Sequence, residues 1–149
     1  MKHIIFETAN EYPIAVLVKT SAFRKAEMQK YYVDPAHIQG IENHDIIAFD
    51  LEYQDNGKAP VSFIKEYLDH LLPALSQQKT RYLYVTDAAY YKVLTKNTKK
   101  SEMYFGYVTP CVIEGYEDMM VVLGVNYQQL FYKPELQEKI NNGFKSIVD

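Results

Sequence analysis

The side chains with the most chemical potential are gathered in two short polar segments, and each segment follows an apolar run. The first segment follows residues 14–18 and contains Lys19, Thr20, Ser21, Arg24 and Lys25. The second follows residues 119–125 and contains Asn126, Tyr127, Gln128, Tyr132 and Lys133. Ammonium and guanidinium groups bind phosphates, and aromatic rings stack on bases. The two segments therefore offer cationic, aromatic and hydrogen-bonding groups of the kinds that phosphate-bearing ligands require.

The common motifs of nucleotide-binding, hydrolase and metalloprotease sites are missing from the sequence. It contains no GxGxxG, Walker, HExxH or GxSxG pattern. Asp50 and Glu52 share one face of a strand, where two carboxylates can hold a metal, but one pair is a weak signal. The histidines do not pair at metal-ligand spacing on one element, and we interpret them as structural or solvent-facing: His3, His37, His44 and His70. We predict no metal and no cofactor.

Length and composition favour one globular domain spanning residues 1–149. The chain is 48% hydrophobic, which disfavours disorder. A single cysteine, Cys111, excludes a disulfide framework and a cysteine metal cluster and favours an intracellular protein. No apolar run approaches the roughly 20 residues of a membrane span, so no membrane partner is expected. The net charge of -3 argues against strong nonspecific binding of nucleic acid but allows a local basic patch.

Tyrosine is unusually frequent, with 14 tyrosines and no tryptophan. A tyrosine combines a large apolar ring with a polar tip, which suits both interfaces and partly polar cores. Two interpretations stay open at this point. One is compositional drift without functional meaning, and the other is a surface that stacks on bases or contacts a protein partner.

Strand-like and helix-like segments alternate along the chain. Strands are predicted at residues 14–18, 45–51, 81–86, 103–113 and 119–125. Helices are predicted at residues 22–31, at 61–75 after Pro60, at 88–95 capped by Asp87, and after Pro134, with Pro73 kinking or ending the second. This alternation predicts a three-layer α/β/α fold with a mostly parallel central sheet of four to five strands.

The last strand and its exit, residues 124–136, are the most distinctive part of the sequence. The strand ends, a short polar loop follows, and Pro134-Glu135-Leu136 begins the final helix. This arrangement resembles the uracil-DNA glycosylase superfamily, particularly its bacterial iron–sulfur branch, where the loop contacts DNA. The order and spacing of the upstream elements are also similar, over roughly residues 14–148. The resemblance implies a uracil-DNA-glycosylase-like fold. Because that fold binds DNA at the carboxyl ends of its strands, the resemblance also implies that the ten residues of the two polar segments bind nucleic acid.

The sequence departs from the glycosylase pattern at the positions that carry the chemistry. The histidine of the family's loop falls at Asn126 and its proline at Tyr127, and Thr20 stands near the expected carboxylate. The cluster-binding cysteines are absent. Cleavage of the glycosidic bond needs a positioned water and stabilisation of the departing uracil anion. We therefore predict no catalytic residues. The alternative is an active base-excision enzyme with an altered site, using Asn126 and either Asp50 or Asp87.

A degenerate domain of this kind also resembles the N-terminal region of some bacteriophage family A DNA polymerases. The run 125–139 carries most of that likeness. It implies a non-catalytic domain that binds DNA, single-stranded or primer-template, or a replication protein, within a longer polymerase chain. The expected location is the cytoplasm of a bacterial or phage-infected cell. A third possibility, a mimic or inhibitor of a host nucleic-acid enzyme, fits poorly with so small a negative charge.

A second basic cluster begins within the third predicted helix, residues 88–95, and continues into the loop after it. It consists of Lys92, Lys96, Lys99 and Lys100. Such a cluster is more often a solvated face than a binding site, and both interpretations stay open.

Overall fold

The computed structural model of the protein describes residues 1–97 and 106–149. Within these ranges the strands form one sheet of six in the order β1-β3-β2-β4-β6-β5. The strands are β1 (His3–Ile5), β2 (Ile14–Lys19), β3 (Ile46–Leu51), β4 (Tyr82–Val85), β5 (Val108–Pro110) and β6 (Met120–Leu123). The four inner strands, β3, β2, β4 and β6, are mutually parallel, whereas β1 and β5 are antiparallel edge strands. The sheet is thus mixed and has six strands rather than the four to five predicted, because β1 was not expected; the predicted α/β class is confirmed.

The helices are α1 (Lys25–Met28), α2 (Asp34–Ile38), α3 (Val61–Gln77), α4 (Ala88–Thr95) and α5 (Gln137–Val148). A π-helix, Gln29–Val33, joins α1 to α2, so the helical path continues through Pro35, past the end predicted at residue 31. A proline in the first turn after a π-turn costs no ordinary helical hydrogen bond, which explains the continuation. Short 3-10 turns lie at Thr20–Ala22, Asn43–Asp45, Tyr127–Phe131 and Pro134–Leu136.

Several boundary predictions can be compared directly with the structure. Asp87 caps α4 as predicted, because its Oδ1 accepts the N–H of Tyr90 at 3.1 Å. Pro73 does not end α3, which continues to Gln77. The predicted strand 103–113 is shorter, since only Val108–Pro110 is strand and residues 103–105 lie outside the described ranges. The edge strand β1 was not predicted.

Each face of the sheet carries its own hydrophobic core, because successive strand residues point to opposite sides. On one face the strands pack against α3 and α4, through residues that include Ala15, Leu17, Ile47, Leu83, Ile64, Leu68, Tyr90 and Leu94. On the other face they pack against the segment from α1 to α2 and against α5, through residues that include Val16, Ala48, Tyr84, Val122, Met28, Tyr32, Ile140 and Phe144. Helices therefore cover both faces of the sheet, so a binding site is expected at the ends of the strands.

Most of the described tyrosines belong to these cores rather than to a surface. Buried tyrosines are Tyr12, Tyr32, Tyr67, Tyr84, Tyr90, Tyr91 and Tyr127. Only Tyr107 and Tyr132 are strongly exposed among the described residues, at 64% and 88%. Among the described tyrosines, only these two are therefore exposed enough to stack on bases or to contact a protein partner. No helix within residues 1–97 and 106–149 is long and apolar enough to cross a membrane.

Alkaline pH is expected to unfold the protein, because burial raises the pKa of the Tyr32, Tyr84 and Tyr90 hydroxyls above the usual value. A raised folded-state pKa contributes stability below about pH 10, and this stability is lost as the pH rises further. We expect these buried rings to ionise only together with a loss of circular dichroism, so that part of the rise in tyrosinate absorbance coincides with unfolding. A single phase with unchanged dichroism would contradict the prediction.

Candidate nucleic-acid interface

The strand order reverses between β2 and β4, which marks the expected position of a binding site. From β2 the chain crosses to β3 on one side, and later from β4 to β6 on the other. In open α/β sheets, ligands bind beyond the carboxyl ends of the strands at such a reversal. Thr86, directly after β4, joins the two strands there, since its hydroxyl donates to the carbonyl of Leu17 at 2.9 Å.

The first cavity, of about 440 Å³, lies beyond the ends of β4 and β6. It is lined by Thr86, Ala88, Leu123, Gly124, Val125, Asn126, Gln129, Tyr132, Lys133, Leu136 and Lys139. Two lysines and two amide side chains are among these lining residues, and no carboxylate is. In a chain with a net charge of -3, this lining is a local site suited to a negatively charged ligand.

Asn126 is held at the entrance to the turn Tyr127–Phe131. Its Oδ1 accepts the backbone N–H of Gln128 at 3.0 Å and caps the turn. This bond occupies the acceptor end of the amide, and the Nδ2 end has no hydrogen-bond partner within the part of the chain that the structure describes. The donor of Asn126 therefore remains for a ligand carbonyl or phosphate.

Tyr127 cannot stack on a base, because it is almost completely buried at 1% exposure. Its ring stacks on Tyr31 at 5.2 Å, and its hydroxyl donates to the carbonyl of Ala22 at 2.9 Å. Burial also raises the pKa of the Tyr127 hydroxyl. The role predicted for Tyr127 is thus replaced by a structural one, which ties the second polar segment to the loop after β2.

The hydroxyl of Tyr32, in the π-helix, holds the same segment from the other side. It donates to the carbonyl of Val125 at 2.7 Å and accepts the N–H of Tyr127 at 2.8 Å. All of these groups are buried. Asn126 lies between the two backbone groups that the Tyr32 hydroxyl fixes, so the π-helix sets the position of the amide in the first cavity.

The first polar segment lines a different cavity, of about 620 Å³, beyond the ends of β2 and β3. Lys19, Thr20 and Ser21 are among its lining residues. The ammonium group of Lys19 lies 4.3 Å from the centre of the Tyr53 ring, and the hydroxyl of Thr20 donates to Asp50 Oδ2 at 2.7 Å. This second cavity also contains Asp50 and Glu52, so its charge is mixed and suits an anion less well than the first cavity does.

The ten predicted residues therefore separate into groups. Asn126, Tyr132 and Lys133 line the first cavity, and three residues of the first segment line the second. Arg24 and Lys25 are exposed at the start of α1 and line neither. Gln128 is half-buried, and its backbone N–H serves the Asn126 cap.

Three polar or aromatic residues at the lining or rim of the first cavity were missed by the sequence analysis: Gln129, Phe131 and Lys139. For two of them, the sequence contains a pattern that could have identified them. Lys139 lies three positions after Leu136 near the start of the final helix, a spacing that places both on one helical face. Phe131 is an apolar ring within a polar loop. Gln129 gave no signal that distinguishes it from an ordinary loop residue.

The two buried carboxylates near the strand ends are engaged in hydrogen bonds through both of their oxygens. Asp50 accepts the backbone N–H of Lys2 on Oδ1 at 2.7 Å and the Thr20 hydroxyl on Oδ2. Asp87 accepts the N–H of Tyr90 on Oδ1 and the hydroxyl of Tyr53 on Oδ2 at 2.5 Å. Burial and this bond to Asp87 raise the pKa of Tyr53. Both aspartates therefore act as structural acceptors.

The weaker site hypotheses gain no geometric support. Glu52, proposed to share a metal with Asp50, pairs with the amino group of Met1 at 2.8 Å. No cluster of three or more metal-ligating side chains occurs in residues 1–97 and 106–149. In the second basic cluster, Lys92 and Lys96 are exposed and line neither cavity, while Lys99 and Lys100 lie outside the described residues.

Comparison with known proteins finds no family model and no curated protein that matches this sequence. The geometry of the strand ends is therefore the basis for interpreting the site.

Proposed function

We propose that this chain is a non-catalytic DNA-binding domain that holds DNA at the first cavity. The observation that carries the proposal is the lining of that cavity, where Lys133 and Asn126 converge and no carboxylate occurs among the described lining residues, in a protein with a net charge of -3. Lysine side chains neutralise phosphates, and this contact supplies most sequence-independent affinity for DNA. The Nδ2 group of Asn126 adds a donor that can reach a base carbonyl or a phosphate oxygen.

The proposal includes a uracil-DNA-glycosylase-like, three-layer architecture and a place beside a phage-type DNA polymerase. Two observations support the architecture. Four parallel strands form the centre of the sheet with helices packed on both faces. The last parallel strand leaves through a capped turn, Tyr127–Phe131, into Pro134–Leu136 and α5, in the order that the resemblance implies. The polymerase setting has only the sequence likeness of residues 125–139 to support it.

Lys133→Glu is expected to weaken DNA binding and to reduce the salt dependence of binding by about one phosphate contact. The measurement is fluorescence anisotropy of labelled primer-template DNA across a series of salt concentrations. Lys79→Glu is the matched control, because Lys79 is an exposed lysine that precedes β4 at the opposite edge of the sheet. Equal affinity of Lys133→Glu and the unaltered protein at low salt would overturn the assignment of the first cavity.

A parallel variant tests the other half of the predicted surface. Lys19→Glu combined with Arg24→Glu changes the segment after β2 and leaves the first cavity unaltered. A loss confined to Lys133→Glu assigns binding to the first cavity alone. If neither variant changes the affinity, or if no DNA binds at low salt, a replication protein becomes the better partner.

The alternative, a base-excision enzyme, has less support from the geometry. It requires a general base near Asn126, and the two carboxylates named as polar groups of this alternative, Asp50 and Asp87, already accept hydrogen bonds on both oxygens. A carboxylate in that state is a poor acceptor for the proton of an attacking water. Release of free uracil from uracil-containing DNA, abolished by Asn126→Ala, would establish this alternative.

A further inference from the structure

Two neighbouring aromatic rings, Phe131 and Tyr132, project from the end of the turn beside the first cavity. Phe131 is 68% exposed and Tyr132 is 88% exposed. Two earlier residues of the same turn, Tyr127 and Leu130, are buried instead. The turn therefore buries one pair of apolar side chains and leaves the adjacent pair in water, where exposed rings bring no folding benefit.

The backbone beneath these rings is firmly held. The N–H groups of Tyr132 and Lys133 both donate to the carbonyl of Gln129, at 3.1 and 3.0 Å. At the other end of the turn, the Asn126 cap and the Tyr32 hydroxyl fix the entry of the chain. Rings presented on a fixed backbone lose little further backbone freedom on binding, which favours affinity.

The chemistry next to the rings favours a nucleic acid over an apolar protein surface. Lys133 follows Tyr132 directly, and both line the first cavity, whose described lining residues include no carboxylate. The nearest carboxylate in sequence, Glu135, is outside that lining. A pair of exposed rings followed by a lysine provides stacking faces for bases and a charge for the linking phosphate.

Duplex DNA does not offer the faces of its internal bases, because they are stacked on one another, whereas a single strand does. We propose that Phe131 and Tyr132 stack on unpaired bases, so that the domain selects single-stranded DNA over closed duplex. This inference rests on the proposed function and adds the form of DNA that the site accepts. Lys133 contributes the phosphate contact in both forms.

Three probes of equal phosphate number separate stacking from charge: a single-stranded oligonucleotide, a closed hairpin duplex, and a strand whose bases are replaced by abasic sites. We expect the base-bearing single strand to bind about tenfold or more tightly than either of the others. Phe131→Ala combined with Tyr132→Ala should lower its affinity to that of the abasic strand. Tyr132→Phe should retain the preference, and Ile38→Ala, which alters an apolar side chain 78% exposed at the end of α2, should change nothing.

A spectroscopic signal is available because the chain contains no tryptophan. Tyr132→Trp introduces a single indole at the proposed contact, and its fluorescence should be quenched by the base-bearing strand and not by the abasic strand. This signal reports ring stacking directly, whatever the change in affinity.

The possible results separate this inference from the proposed function. Equal binding of the abasic and base-bearing strands, without quenching of the indole, would overturn the stacking role and leave a charge-based DNA contact. Equal binding of duplex and single strand would overturn the selectivity. Absence of binding to all three probes at low salt would overturn both proposals. The exposed rings would then be expected to contact a protein partner.

Discussion

Gly124→Ala is expected to be among the most destabilising single substitutions in the protein, at about 3 kcal/mol. Gly124 is buried at the end of β6, and a Cβ placed there would overlap the ring of Tyr84, with the hydroxyl oxygen at 2.6 Å. Tyr84 is completely buried and has little space to move away. Its other side stacks on Phe144 at 4.2 Å, and a Cβ at Gly143 would lie 2.6 Å from the same ring.

Urea unfolding of a double-mutant cycle would test this packing. In a Tyr84→Leu background the ring is absent, so the further cost of Gly124→Ala should fall to about 1 kcal/mol or less. Asn142→Ala, on the exposed face of α5, is the control and should be close to neutral. Equal costs of Gly124→Ala in the two backgrounds would show that Tyr84 is not the side chain that excludes a Cβ.

Tyr32→Phe is expected to cost about 2–4 kcal/mol, although it removes a single oxygen atom. The lost hydroxyl leaves the carbonyl of Val125 and the N–H of Tyr127 without their partner, and both backbone groups are buried. A buried polar group without a partner costs the full free energy of its desolvation. The burial that raises the pKa of Tyr32 also keeps water from replacing the hydroxyl.

The matched control is Tyr31→Phe, in the adjacent position of the same π-helix. The ring of Tyr31 stacks on Tyr127, and its hydroxyl makes no hydrogen bond within the described part of the chain. We expect Tyr31→Phe to change the free energy of unfolding by less than about 0.5 kcal/mol. Hydrogen exchange gives a local measurement, because only Tyr32→Phe should remove protection of the Tyr127 amide. Retained protection would show that the hydroxyl does not position this segment.

Local sequence patterns were sufficient to predict the fold class and some details of individual strands and helices. The apolar run at residues 14–18 requires cover on both faces, and β2 is indeed buried along most of its length. The capping role of Asp87 depends only on the three residues that follow it. Local patterns could not give β1, which is three residues long and lies antiparallel to β3 at an edge. Its position depends on pairing with a strand more than forty residues away.

The candidate site was predictable only in part, because two of its properties depend on distant contacts. Tyr127 occurs in a polar stretch and reads as a surface residue, yet its hydroxyl bonds to Ala22, 105 positions earlier. The two polar segments were expected to form one surface. They do reach the same edge of the sheet, but β4 lies between β2 and β6, which separates those strands by about 10 Å. Strand order, which the sequence does not reveal, therefore divides the predicted surface into two cavities.

The short edge strands limit the ways in which this protein can assemble. Both β1 and β5 contain only three residues, and β5 ends at Pro110, which has no backbone N–H. Brief edges that lack donors are poor templates for adding a strand from another chain. At β1 and β5, recruitment by β-augmentation and edge-to-edge polymerisation are therefore both disfavoured. Partners are then expected to engage side chains at the strand ends rather than extend the sheet.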